Sequence, residues 1–153
     1  MKLASAIAES IAAATGVPFS PDRMNAIGGG DINRAFSVSD DARRYFVKSN
    51  GAERLPMFEA EADALHALAA TRSARVPQPL CSGTAAGQSF LVLEYLELRG
   101  DGDAARLGTQ LAQLHRAGLA DEQITIVVAL GTHRAMTDDE IAQRVGRSVM
   151  QRV

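Results

Sequence analysis

Leu3, Ile7 and Ile11 recur at four-residue spacing and define one stripe of an amphipathic helix at the start of the chain. Gly16-Val17-Pro18 and Ser20-Pro21 break that pattern. A short strand is predicted from Arg23 to Ile27, then the run Gly28-Gly29-Gly30-Asp31-Ile32-Asn33, then a second strand around Ala35 to Val38. Ser39-Asp40-Asp41-Ala42 has turn chemistry, because Asp side chains bond to nearby backbone. From Arg44 to Ser49 the chain alternates, with Phe46 and Lys48 on one face and Tyr45 and Val47 on the other. Strand, glycine-rich turn, strand, tight turn and strand make an antiparallel meander.

Pro56 sits where a helix begins, since its missing N–H costs nothing in the first turn. Phe58, Ala62, Leu65 and Ala69 form a helical stripe to about Ala70. Val76-Pro77-Gln78-Pro79 runs extended. A weak strand near Leu80 to Gly83 and a strong one from Ser89 to Leu96 follow, then a loop at Arg99-Gly100-Asp101-Gly102. A helix over about Asp103 to Arg116 carries Leu107, Leu111 and Leu114 on one side. The texture then changes. Ile124 to Leu130 is an unbroken apolar, β-branched run of the kind found in strands buried on both faces of a parallel sheet. Thr137-Asp138-Asp139-Glu140 is a capping box, continued by the helical stripe Ile141, Val145 and Val149. A boundary is expected between His115 and Leu119.

Composition narrows the class. The 153 residues balance 16 basic against 18 acidic side chains, which leaves no footprint for nucleic acid. A lone cysteine, Cys81, excludes an internal disulfide and fits a reducing compartment. Glu9 and Ser10 interrupt the apolar N-terminus before it reaches signal-peptide length, and no stretch approaches the roughly 20 apolar residues of a membrane span. A cytoplasmic protein without a membrane partner is expected.

The first region supplies parts that hold a nucleoside triphosphate. A glycine-rich hairpin lets backbone N–H groups approach phosphates, since no Cβ stands in the way. Lys48, on the next strand, can place an ammonium against the α- and β-phosphates, and the helix that follows offers Glu59 and Glu61 to hold it. Strand lysine, helix glutamate and glycine-rich cover occur in this order in kinase logic. Glu94-Tyr95-Leu96 ends a buried strand and can present backbone to an adenine ring.

Gly-Gly-Gly-Asp-Ile-Asn-Arg-Ala-Phe (28–36), Tyr-Phe-Val-Lys-Ser-Asn (45–50), Met-Phe-Glu-Ala-Glu-Ala-Asp-Ala-Leu (57–65), Val-Pro-Gln-Pro (76–79) and Phe-Leu-Val-Leu-Glu-Tyr-Leu (90–96) resemble successive blocks of the fructosamine kinase family. The resemblance extends from about the N-terminus to Leu114-His115-Arg116. It implies an α+β, protein-kinase-like N-lobe, an antiparallel sheet plus helix, over residues 1–116. It implies ATP, with magnesium in the intact family, and a ketosamine substrate. By the same resemblance Gly28, Gly29, Gly30, Asp31 and Asn33 cover the nucleotide, Lys48 contacts its phosphates, Glu61 pairs with Lys48, and Glu94, Tyr95 and Leu96 form the adenine hinge. The family's His-Gly-Asp block, with its catalytic base and metal-holding residues, has no counterpart here: His66, His115 and His133 are each followed by Ala or Arg. Nucleotide binding without turnover is therefore expected, and no metal ligands are assigned.

Residues 124–137, Ile-Thr-Ile-Val-Val-Ala-Leu-Gly-Thr-His-Arg-Ala-Met-Thr, are similar instead to the strand–turn–helix block of the nickel-pincer lactate racemase family, with Ala135 in place of the usual proline. That resemblance implies a short strand–helix segment of α/β type over 117–153, and carries a proton-moving role to His133. Two family fragments in one chain suggest a chimera, by rearrangement, frameshift or deliberate recombination, with self-association covering unpartnered apolar surface. A non-catalytic interaction module and a racemase-related fragment are the alternatives to a nucleotide-holding lobe.

Overall fold

The computed structural model describes residues 2–28, 33–97 and 104–116. Helix α1 (Leu3–Thr15) ends on Gly16, whose left-handed φ of 70° lets its N–H close back on the Ala12 carbonyl. Strands β1 (Arg23–Ile27), β2 (Arg34–Ser39) and β3 (Arg44–Gly51) follow, then a short 3-10 turn at Ala52–Arg54. Helix α2 (Leu55–Ala70), strands β4 (Pro79–Ala85) and β5 (Gln88–Glu94), and helix α3 (Ala104–Arg116) complete the described chain. The five strands form one antiparallel sheet in the order β1-β2-β3-β5-β4. The meander and the α+β class are as the sequence predicts.

Each face of the sheet carries its own core. Ile7 and Ile11 of α1 pack with Val38, Val47, Phe90 and Val92 on one face. On the other, Phe58, Leu65 and Leu68 of α2 pack with Leu91, Leu93 and Leu114. Strand β5 feeds both cores with alternate residues, as a period-two element between two helices must. The same alternation sends Phe46 toward the α2 core and Tyr45 toward the α1 core.

Two elements differ from expectation. Strand β4 runs on to Ala85 and joins β5 through a two-residue turn with positive φ at Ala86 (52°) and Gly87 (74°). Strand β5 stops at Glu94 rather than Leu96, because its last rung on β3 is Tyr45–Glu94, and β3 itself begins at Arg44. Close packing at Gly83 fits the same hairpin, since a Cβ there would stand 3.0 Å from the buried Phe90 ring. Predicted features at Ile32, Arg99–Gly102, Ile124–Leu130, Thr137–Glu140 and Ile141–Val149 lie outside the described residues. Among the described residues no helix is long and apolar enough to cross a membrane.

The turn between β2 and β3 is fastened to the segment ahead of β1. Asp40 Oδ1 accepts from the N–H groups of Ala42 and Arg43 at 3.0 and 2.6 Å, and its Oδ2 accepts from the Arg43 guanidinium. The same guanidinium donates to the Pro18 carbonyl and lies 5.1 Å from the Phe19 ring centroid. The hydrogen bond from Arg43 holds the Asp40 carboxyl below its ordinary value of 3.8. A carboxyl whose folded pKa is depressed stabilises the fold above its unfolded value and loses that contribution as pH falls through the folded one. Asp40→Ala should therefore lower the unfolding midpoint at neutral pH. The gap from wild type should narrow below about pH 4, which thermal unfolding across a pH series measures.

Candidate functional site

Strand β3 is central, so Lys48 emerges from the sheet between its rung partners Ala35 on β2 and Leu91 on β5. Its face is the α2 face, where Phe46, Leu91 and Leu93 make the surroundings apolar. A lone ammonium there would be costly, and a carboxylate must come from the helix above. Helix α2 provides it. Glu61 lies three residues after Phe58 and four before Leu65, in the same inward stripe, whereas Glu59 is a third of a turn away and exposed. Lys48 Nζ donates to Glu61 Oε1 at 2.5 Å, with the two side chains 18% and 11% exposed.

Lys48 lies opposite Ala35, one residue into β2, the strand that follows the connection holding the glycine run. Gly28 is exposed with open space around its Cα. Gly29, Gly30 and Asp31 lie outside the described residues. Asn33 is turned onto β3, where its Oδ1 accepts from Asn50 Nδ2 at 2.8 Å. Sequence reasoning placed Asn33 near the nucleotide but passed over Asn50, whose signal was its position two residues beyond Lys48 on the same strand face.

At the far end of β5, two arginines hold the expected adenine hinge. Arg75 pairs with the Glu94 carboxylate, and the Arg44 guanidinium stacks 4.0 Å above the Tyr95 ring. The Glu94 N–H is committed to the Gln78 carbonyl at 2.8 Å, so Glu94 has no backbone donor to offer an adenine. Neither arginine carries a sequence signal of its own, since both depend on where β5 ends. Elsewhere, burial pushes the Cys81 thiol up to about 11, so it stays protonated at neutral pH and is a poor nucleophile. His133 lies outside the described residues. Among the described residues no group of three His, Cys, Asp or Glu side chains is placed to hold a metal ion.

A cationic group fixed by a carboxylate on a sheet face can bind a polyphosphate. Comparison with known proteins finds kinases. The family model described as fructosamine kinase matches residues 3–125. A second model, the lactate racemase N-terminal domain, matches residues 104–153. A protein named probable ketoamine kinase from Synechocystis sp. is 47% identical over 114 residues, 73% of this chain and 39% of that protein. Protein-ribulosamine 3-kinase, chloroplastic, from Oryza sativa subsp. japonica is 42% identical over 65% of this chain and 30% of its own length. The crystal structure described as a fructosamine-3-kinase from Haemophilus somnus superposes with a TM-score of 0.68 at 31% identity, covering 72% of this chain and 38% of the other. The chain thus spans between 30% and 39% of these two curated relatives. From residues 3 to 125 it belongs to the fructosamine kinase family.

Proposed function

We propose that this chain forms the nucleotide-holding lobe of an ATP-dependent ketosamine kinase. The Lys48–Glu61 ion pair carries the reading, because a desolvated ammonium locked by a helix carboxylate is the phosphate anchor that kinase chemistry requires. In this reading Lys48 holds the α- and β-phosphates and Glu61 fixes its direction. Gly28, Gly29, Gly30 and Asp31 cover the phosphates, with Asn33 beside them, and Tyr95 and Leu96 present backbone to the adenine where Glu94 ends the strand. The names of the relatives support a ketosamine as phosphoryl acceptor in the whole protein. Among the described residues no ligand cluster is placed to hold magnesium.

The sequence contains no His-Gly-Asp block, so holding the nucleotide without transferring its phosphoryl group is the activity assigned to these residues. The division into a kinase-like unit over 1–116 and a racemase-like segment over 117–153, with His133 as that segment's candidate proton carrier, is part of the same proposal. The match of the second family model to residues 104–153, which overlaps the first, supports the racemase-like character of the C-terminal segment. So is a cytoplasmic setting.

ATP should raise the thermal unfolding midpoint of the full chain. At a thousandfold excess over its dissociation constant the gain is about 4 kcal/mol, with no ADP formed. A midpoint that ignores ATP would count against the proposal.

A further inference from the structure

We infer that Asn50 is a positioning residue that fixes the polarity of the Asn33 amide, so that Asn33 presents its NH2 group to a phosphate oxygen. The inference rests on the proposed nucleotide site and adds a residue to it. A backbone N–H can only donate, so the Gly51 N–H at 2.8 Å identifies the acceptor on Asn50 as its carbonyl oxygen, Oδ1. The other end of that amide is therefore Nδ2, which donates to Asn33 at 2.8 Å. The Asn33 atom that receives it must be Oδ1, and the remaining end of Asn33 is a pair of N–H donors. Among the described residues that NH2 group has no protein acceptor.

The orientation has a place to act. Lys48 pairs with Ala35, and a two-residue step along each strand puts Asn50 and Asn33 on the Lys48 face. The two-residue step away from Lys48 is about 7 Å, longer than the separation of neighbouring phosphates and nearer the length of a triphosphate. Gly51 N–H, Asn50 and Asn33 thus form a relay that delivers donors beside an ammonium. Donors and a cation together suit an anion with several acceptor oxygens, and an adenine or ribose alone would not use both. Were the Asn33 amide turned the other way, its oxygen would face the phosphate and repel it.

Titrating ATP and adenosine separately into the folded full chain tests this, with Lys48→Ala as the reference for the site itself. Asn33→Ala and Asn50→Ala should each weaken ATP by about tenfold and leave adenosine unchanged. Asn33→Asp keeps an acceptor for Asn50 while putting a carboxylate oxygen where the NH2 was. It should weaken ATP on the order of a hundredfold, even if Asn50→Ala fails to fold. If ATP binds the wild type and weakens in Lys48→Ala, yet Asn33→Asp matches the wild type, the relay is wrong and the nucleotide site stands. A wild type blind to ATP would remove both.

Discussion

Phe58→Ala should lower the unfolding free energy by about 3–5 kcal/mol and loosen α2 from the sheet. Phe58 is fully buried and packs with Leu65, Leu68, Leu91 and Leu93, the residues that seat α2 on β5. Removing its ring leaves a cavity that α2 can relieve only by shifting, and Glu61 sits one turn further along the same stripe. A shift there moves the carboxylate off Lys48. The variant should therefore lose ATP stabilisation as well as thermal stability. Chemical denaturation with and without ATP reads both; a variant that loses stability but keeps the full ATP response would separate the core from the site.

Glu61→Ala should have the second-largest effect. It leaves the Lys48 ammonium, 18% exposed, without its carboxylate. The cost is about 1–3 kcal/mol, below the 3–5 kcal/mol typical of removing one partner from a fully buried pair. Replacing both partners is different. Lys48→Met together with Glu61→Leu keeps volume and removes both charges, and such swaps cost little or nothing. The double variant should unfold within about 1 kcal/mol of wild type, above Glu61→Ala. Equal stabilities for all three proteins would mean that the pair is solvated and carries no strain when broken.

Much of this was readable along the chain. The alternation of β3 put Lys48 and Phe46 on one face, because a strand's faces are fixed by a period of two, and the fold shows that this face meets α2. Glu61 was preferred to Glu59 only through the family resemblance, and the phase of α2 accounts for it, since Phe58, Glu61 and Leu65 share one stripe and Glu59 does not. The β4–β5 hairpin was harder. Its turn has positive φ at Ala86, a residue that gives none of the signal that Asn or Gly would. The end of β5 depended on where β3 begins, a matter of register between distant segments. Asn50 was missed for a similar reason, because its role is set by a backbone N–H at Gly51 and by a partner 17 residues earlier. The hinge arginines depend on tertiary placement in the same way.

ATP titration by calorimetry, run side by side on the wild-type chain and the Lys48→Met/Glu61→Leu variant, tests the phosphate anchor with stability held constant. The wild type should show saturable binding and the equally folded variant should bind at least about a hundredfold more weakly. Matching isotherms would contradict the assignment of Lys48 and Glu61 to the nucleotide.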